Sequence, residues 1–179
     1  MLKIIENIPN VGVWPLTHVF ERMGLKHKPN TLWLEFGVAS GKTINYISRF
    51  TKGTVYGFDS FEGLPEKWRD GFEKGRFSRN GFFPEVNDNV ALIKGWFSDS
   101  LPGFLAAHEG KKVSFIHIDC DLYSSTKYIL NALKGRIDTD CVIVFDELVN
   151  YPGFDGDTGE LKAFYEFINE NKVVYEWLG

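Results

Sequence analysis

The sequence predicts an α/β fold with a doubly wound, mostly parallel sheet that is covered by helices on both faces. Apolar runs of strand length alternate with stretches that have a helical period. Two of these runs, at residues 113–116 and 141–145, are almost continuously apolar, as in strands that are buried on both faces. The 179 residues, of which 44% are hydrophobic and 25% charged, fit one domain with a substantial core.

The elements follow in order from the spacing of apolar residues. A leading region, residues 1–30, has a helical period at residues 12–23 that ends at Gly24, and we expect this helix to cover the sheet. Strands are predicted at residues 31–36, 54–59, 90–94, 113–119, 140–146 and 172–178, and helices at 41–50, 99–108, 123–134 and 157–170. Because crossovers between parallel strands are right-handed, the loops after the strands meet at one edge, where such sheets bind ligands.

The turn after the first strand carries a local signal of a ligand site. Glu35 closes an apolar run, Gly37 and Gly41 follow, and a helical pattern begins at Lys42. Glycine permits positive φ and lets a ligand approach the backbone closely. Ala39 stands where a dinucleotide-binding turn has its second glycine, which argues against a phosphate site. An ordinary connection between a strand and a helix is the alternative interpretation.

Acidic residues close several predicted strands. Asp59 ends the second strand, Asp119 and Asp121 follow the fourth, and Asp146 and Glu147 follow the fifth. Carboxylates accept hydrogen bonds from ligand hydroxyls, and a group of them suits Mg²⁺. In the alternative interpretation one of the four acids that follow the fourth and fifth strands, best Asp121, caps the next helix and another of these four binds backbone amides.

These segments together resemble the class I S-adenosylmethionine-dependent methyltransferases, and within that class the macrocin O-methyltransferase family of sugar-modifying enzymes. The resemblance spans residues 32–147. It rests on the motifs Leu34-Glu35-Phe36-Gly37, Asp59-Ser60-Phe61-Glu62-Gly63-Leu64-Pro65, Gly95-Trp96-Phe97, Ile118-Asp119-Cys120-Asp121-Leu122-Tyr123 and Phe145-Asp146-Glu147. It implies a Rossmann-like methyltransferase fold and transfer of a methyl group from S-adenosylmethionine to a hydroxyl of a sugar, a glycan or another small molecule.

The resemblance also implies a cofactor site in the loops that follow the first four strands. Its residues are Glu35, Gly37 and Gly41 for the methionine part, Asp59 for the ribose hydroxyls, Gly95, Trp96 and Phe97 for the adenine, and Ser60, Phe61 and Asp119 beside them. Ser40, Lys42 and Thr43 open the following helix and are candidates to contact the cofactor carboxylate.

A metal site and a general base are implied in the same way. Members of the family bind a divalent ion through an acid after strand four and two consecutive acids after strand five, which here are Asp119, Asp146 and Glu147, with Glu147 at a position that is usually Asp. Mg²⁺ is the expected ion, because it helps an alcohol to lose its proton. Asp121 is the candidate general base, and an exchange of roles between Asp119 and Asp121 stays open.

Residues 62–88 interrupt the alternation of strands and helices. This segment, the 62–88 loop, carries aromatic and arginine side chains among glycines without a regular period. Loops of this length inside a compact domain are usually functional or disordered. We expect a mobile lid over the cofactor and the acceptor; a partner-facing surface loop is the alternative.

Charge and composition narrow the classes of partner and compartment. The net charge of -4 gives no basic surface for nucleic acid or for an anionic membrane. Apolar runs of membrane-spanning length and a signal peptide are absent, so a cytoplasmic protein is expected, with Cys120 and Cys141 reduced.

Two expectations concern the end of the chain and the competing functions. Methyltransferases of this class finish with a hairpin of two strands, whereas only residues 172–178 follow the last predicted helix, so the hairpin is incomplete and its exposed edge could pair with a second copy of the chain. The alternative functions are an oxidoreductase that binds NAD or a nucleotide sugar, and a non-catalytic scaffold that binds the cofactor.

Overall fold

The structure, a computed structural model, describes residues 2–179 and contains a five-stranded parallel sheet. The strands are β1 Thr31–Phe36, β2 Val55–Asp59, β3 Val90–Lys94, β4 Lys112–Ile118 and β5 Ile137–Phe145, in the order β3-β2-β1-β4-β5. The helices are α1 Pro15–Thr17, α2 Lys42–Ser48, α3 Phe97–Ala107, α4 Tyr123–Leu133 and α5 Gly159–Asn171. The predicted fold class is confirmed.

Side chains of β1 alternate between two core layers, as the pleat of a strand requires. Leu34 and Phe36 pack with side chains of α3, α4 and α5 on one face of the sheet. Trp33 packs on the other face with the buried residues of α2 and with Phe20. Because residues two apart share a face, Glu35 lies on the face of Trp33.

The leading helix is shorter and less regular than predicted. It begins with Pro15 at its first position, where proline is favoured because its missing N–H would have no helical partner. After one α-helical turn the chain continues as a π-helical turn, His18–Arg22, and Gly24 at φ +71° follows the end of the helix. Leu16, Val19 and Phe20 are the buried residues that hold this region against the sheet.

The strand order reverses between β1 and β4, and this reversal positions the site. The chain runs from β1 outward to β2 and β3, whereas β4 and β5 lie on the other side of β1. Open α/β sheets bind ligands at the carboxyl ends of their strands beside such a reversal. Glu35 of β1 and His117 of β4 face each other across it in the parallel register.

The strand predicted at residues 172–178 is wrong, since this segment is neither helix nor strand. The rings of Tyr175 and Trp177 pack against Phe164 of α5, at 5.3 and 5.6 Å between centroids. The indole N–H of Trp177 also donates to the carbonyl of Ile4 at 2.6 Å. These contacts hold the segment against α5, so it packs on the helical layer without joining the sheet.

Two further expectations concern the cysteines and membrane-spanning helices. Cys120 is buried, Cys141 is half-buried, and both are free thiols. No helix within residues 2–179 has the length and apolar character that crossing a membrane requires.

Candidate active site

Backbone hydrogen bonds align the carboxyl ends of all five strands. The N–H of Gly95 donates to Asp59, that of Gly37 to Phe58, that of Asp119 to Phe36 and that of Asp146 to Ile118, each at 2.9 or 3.0 Å. The loops that carry the predicted site residues therefore leave the sheet side by side. The convergence expected from the strand pattern is present in the structure.

Gly37 and Gly41 shape the turn after β1. Gly37 has φ +92°, and a Cβ atom at this position would lie 1.7 Å from the carbonyl oxygen of Asp119. Gly41 has φ +79° and is the residue before the first turn of α2. The positive φ angles explain why glycine is needed here, and the absence of a side chain at Gly37 lets the β1 turn contact the β4 exit directly.

Asp59 joins the loops that follow β1 and β2. Its Oδ2 accepts hydrogen bonds from the backbone N–H groups of Val38 and Ala39, both at 2.8 Å, and its Oδ1 accepts one from Phe61 at 2.6 Å. Asp59 is thus an acid that binds backbone amides. Its contact with a ribose stays a prediction.

Glu35 and His117 form a fully buried pair across β1 and β4. Nδ1 of His117 lies 2.9 Å from Oε1 of Glu35, and both side chains have 0% exposed surface. Burial raises the pKa of the Glu35 carboxyl, and His117 opposes this effect. Glu35 Oε2 and His117 Nε2 have no hydrogen-bond partner in the described residues. The predicted contact of Glu35 with the cofactor stays a prediction.

A potential ligand group for a cation lies at the ends of β4 and β5. One ring nitrogen of His117 and one carboxylate oxygen each of Asp119 and Asp146 lie within 4.8 Å of one another. Glu147, the third ligand predicted from the resemblance, is outside this group, and its N–H donates to Oε2 of Glu160 at 3.1 Å. The structure therefore brings together two of the three predicted ligands and adds a histidine.

The carboxyl groups at this edge raise one another's pKa. Burial raises the pKa of Asp119 to about 8. The charge of His117 opposes this rise, and the charge of Asp146 adds to it. Burial, followed by the charges of Glu147 and Asp146, raises the pKa of Asp121 to about 7. The ion pairs of residues 2–179 include none of these carboxylates. Such a group favours a cation or a donor hydroxyl as its ligand.

Asp121 does not cap α4, so the capping interpretation of this residue is wrong. The residue before the first turn of α4 is Leu122, and no side chain caps the helix. Asp121 has φ +63° in the short connection between β4 and α4. The charges of Glu147 and Asp146 contribute to the raised pKa of its carboxyl. The Asp121 carboxyl is therefore close enough to the two acids that follow β5 for their charges to act on it.

The 62–88 loop is held together by its own hydrogen bonds and brings a cation to this edge. Backbone bonds join Leu64 with Arg76 and Gly75, each at 2.9 Å. The guanidinium of Arg69 lies between aromatic rings, 4.3 Å from the centroid of Trp68 and 3.9 Å from that of Phe72. Its charge opposes the rise in the pKa of Asp121 and Glu147.

The same loop contacts elements on both sides of the acids. Trp68 packs near Tyr151, which follows β5, at 5.6 Å between ring centroids. The hydroxyl of Ser124 in α4 donates to Glu66 at 2.9 Å. The loop therefore bridges α4 and the segment after β5. Its function as a lid stays a prediction.

The remaining predicted cofactor residues differ in exposure. Trp96 is 38% exposed at the start of α3, whereas Phe97 packs edge-on against Phe36 at 5.5 Å. Phe61 is 1% exposed and packs against Phe83, so it belongs to the core. Ser60 is buried, Ser40 and Lys42 are exposed and Thr43 is half-buried. Trp96 is thus the predicted aromatic with a free face.

Glu160 is a buried acid that sequence reasoning did not select. One carboxylate oxygen accepts the N–H of Glu147, and the other has no partner in the described residues. Burial, and then the charge of Asp119, raise the pKa of Glu160 well above its usual range. Its position four residues before Phe164 on the buried face of α5 was the available signal, because an acid on an apolar helix face is unusual.

Comparisons with known proteins identify the family of this chain. A family model described as a methyltransferase domain matches residues 34–148. The chain is 31% identical to the 8-demethyl-8-(2,3-dimethoxy-alpha-L-rhamnosyl)-tetracenomycin-C 4'-O-methyltransferase of Streptomyces olivaceus, over 54% of this chain and 42% of the relative. It is 24% identical to the demethyldecarbamoylnovobiocin O-methyltransferase of Streptomyces niveus, over 65% of this chain and 50% of the relative. The chain thus spans about half the length of these curated relatives.

Two solved structures have a similar fold. The calicheamicin methyltransferase CalS11 matches with a TM-score of 0.66 and 22% identity, over 91% of this chain and 71% of that chain. The O-methyltransferase NovP matches with a TM-score of 0.59 and 21% identity, over 90% of this chain and 70% of that chain.

Proposed function

The chain belongs to the methyltransferase domain family, and from this we propose that it is an S-adenosylmethionine-dependent O-methyltransferase that acts on a hydroxyl of a sugar or another small molecule. One observation carries the proposal: Asp119 and Asp146 converge at the strand ends, beside the glycine turn that follows β1. The curated relatives that are named O-methyltransferases support the acceptor class.

The reaction needs an acceptor oxygen in line with the donor methyl group and a base for the hydroxyl proton. A C–O bond forms while the C–S bond of the sulfonium breaks, and the electron pair of that bond stays on sulfur. We assign the proton to Asp121, because its raised pKa of about 7 suits a base at neutral pH. Placement of the acceptor against the donor supplies much of the remaining rate.

Residues at this edge fit a divalent cation such as Mg²⁺. Asp119 and Asp146 offer oxygen ligands, and the charges of these carboxylates are otherwise balanced only in part. Asp119 and Asp146 would hold the ion, and Glu147 stays a predicted ligand. A bound cation would lower the pKa of a coordinated hydroxyl. Asp121 is the carboxylate that takes the proton of the acceptor hydroxyl.

An oxidoreductase that binds NAD is less well supported. Dinucleotide sites present free backbone N–H groups to the pyrophosphate. Here Asp59 accepts the N–H groups of Val38 and Ala39, and the N–H of Gly41 donates to Val38 at 2.8 Å. A pyrophosphate would have to compete with a carboxylate for this turn.

Cofactor binding is the first test of the proposal. S-adenosylhomocysteine at about 100 times its dissociation constant is expected to add about 2.7 kcal/mol to the free energy of unfolding. For a chain of this length that raises Tm by roughly 5 to 11 °C, whereas NAD leaves Tm unchanged. A Tm shift with NAD and none with S-adenosylhomocysteine would contradict the proposal.

Acceptor class is tested by transfer of a labelled methyl group. CalS11 is described as a TDP-rhamnose 3'-O-methyltransferase, so TDP-rhamnose is a suitable first probe, with free rhamnose and a phenol such as catechol as comparisons. Label on a sugar hydroxyl supports the proposed class. Binding of the cofactor without transfer to any of a wider set of hydroxyl compounds would favour the non-catalytic scaffold.

The 62–88 loop is expected to exchange its amide hydrogens more slowly when the cofactor product and an acceptor are bound. Closure over ligands would bury backbone that faces solvent in the free protein. The measurement is hydrogen exchange of peptides from residues 66–74, with β1 as an internal control, because this strand is buried and is hydrogen-bonded on both sides. Exchange that is unchanged by both ligands would contradict the lid.

A further inference from the structure

We propose that His117 supplies an imidazole ligand to a divalent transition metal, with Asp119 and Asp146 as the carboxylate ligands and Glu35 as the residue that orients the ring. The inference refines the proposed function, because it concerns the cation at the same acidic edge. It replaces Glu147 with His117 in the ligand set, and it gives Glu35 a positioning function in place of cofactor contact.

Strand geometry places the three ligands on one face of the sheet. His117 and Asp119 are two residues apart at the end of β4, so their side chains point the same way. Phe145 is paired with Ile118 in the register of β4 and β5, so Asp146 lies next to Asp119 and on the same side. One ring nitrogen of His117 and one carboxylate oxygen each of Asp119 and Asp146 lie within 4.8 Å of one another. Metal–ligand bonds of about 2.1 Å would require them to approach by only small rotations.

The pairing of His117 leaves one nitrogen available. Nδ1 is occupied by Oε1 of Glu35 at 2.9 Å, whereas Nε2 is buried and has no hydrogen-bond partner in residues 2–179. Buried polar atoms in native proteins nearly always have a partner. A metal ion would complete the coordination of Nε2, while a simple ion pair between His117 and Glu35 leaves it unsatisfied.

The arrangement of Glu35 and His117 is the one that orients ligand imidazoles in metalloproteins. A ligating histidine commonly donates its other ring N–H to a carboxylate, which determines the tautomer and the direction of the ring. Here the carboxylate and the ring are both fully buried on adjacent strands. Neither side chain needs to be ordered when the ion binds, so little conformational entropy is lost.

The nitrogen ligand determines which ions are preferred. Mg²⁺ favours oxygen ligands and keeps several waters, whereas Mn²⁺, Co²⁺ and Zn²⁺ accept imidazole readily. A set of one nitrogen and two carboxylate oxygens, without the Glu147 carboxylate, therefore binds a transition metal more tightly than Mg²⁺. The remaining coordination positions are available for an acceptor oxygen.

Mn²⁺ is the probe that tests the ligand directly. The full chain is loaded with Mn²⁺ in the absence of cofactor, and pulsed electron paramagnetic resonance is used to detect ¹⁴N coupling from a coordinated imidazole. We expect this coupling in the wild-type chain, its loss in His117→Gln, and a dissociation constant for Mn²⁺ that is at least about tenfold higher in that variant. His108→Gln is the matched control, because His108 lies directly after α3 and near the amino end of β4, away from the acids. This variant should retain the ¹⁴N coupling.

A second variant tests the positioning residue. Glu35→Gln is expected to keep the ¹⁴N coupling, because His117 is intact, while the dissociation constant for Mn²⁺ rises about 10- to 100-fold. An unchanged Mn²⁺ affinity in Glu35→Gln would overturn the positioning function.

The wild-type spectrum decides the proposal even if a variant does not fold. Bound Mn²⁺ without nitrogen coupling, or no binding of Mn²⁺ at millimolar concentration, would overturn it. So would a ¹⁴N signal that persists in folded His117→Gln. Binding of S-adenosylhomocysteine is measured separately by Tm, so failure of the metal ligand is distinguishable from failure of the proposed methyltransferase activity.

Discussion

Asp121→Asn is expected to lower kcat for methyl transfer by about 100- to 10,000-fold, the usual contribution of a general base. Asparagine keeps the size of the side chain but cannot take the proton of the acceptor hydroxyl. Because Asp121 lies between β4 and α4 and its side chain bonds to none of the predicted cofactor-binding residues among residues 2–179, the affinity for S-adenosylhomocysteine should change little. The rate of labelled methyl transfer and the cofactor Tm shift are the two measurements.

Asp138→Asn is the matched control for this prediction. Asp138 pairs with Lys28 at 3.2 Å on β5, away from the carboxyl ends of the strands. Its replacement should leave kcat within about twofold, since Asp138 lies at the start of β5, at the other end of the strands from the acids. If Asp121→Asn kept the wild-type rate while Asp119→Asn lost it, the two acids would have exchanged the roles assigned here.

Gly37→Ala is expected to destabilise the chain by about 4 kcal/mol or more, the range of severe core substitutions. The new Cβ would meet the carbonyl oxygen of Asp119 at 1.7 Å, and the φ of +92° disfavours any residue with a Cβ. That carbonyl cannot easily move, because the N–H of Asp119 donates to Phe36 at 2.9 Å and holds the two strand ends together. Tm should fall by roughly 8 to 16 °C, or the variant should fail to fold.

Gly110→Ala is the control that measures the cost of positive φ without a steric clash. Gly110 has φ +77°, and no atom lies within 4 Å of the position that a Cβ would take, so only the conformational cost applies. That cost is about 1 to 2 kcal/mol, and the Tm of Gly110→Ala should fall correspondingly less. Equal Tm values for the two variants would show that contact between Gly37 and Asp119 is not what limits stability.

The fold could be predicted from local patterns because the forces that define its elements act over short distances. The apolar runs that became β1 to β5 carry their signal within five to nine residues. The segment at 172–178 has the same kind of composition, yet it packs through Tyr175 and Trp177 on α5. Period alone cannot tell whether an apolar segment joins a sheet or covers a helix.

The candidate site was predictable in location but not in its contacts. The predicted ends of the strands identified Asp59, Asp119 and Asp146 as site residues, because the loops that follow parallel strands lie at the same edge of the sheet. The bond between Glu35 and His117 joins residues 82 positions apart and depends on the register of β1 with β4. Glu160 likewise meets Glu147 only because α5 returns beneath the loop after β5.

Local sequence was sufficient to specify the class of fold, the glycine turn and the edge at which the acids gather, because strand alternation and backbone freedom are encoded within short segments. The packing of distant segments established which groups the acids face. Because of this packing, Asp59 accepts hydrogen bonds from the backbone N–H groups of Val38 and Ala39. The same packing places the buried ring of His117, rather than the carboxylate of Glu147, next to Asp119 and Asp146. The reason is that hydrogen bonds and burial depend on the relative position of strands that are distant in the chain, and a shift of one residue in register would send every such side chain to the opposite face.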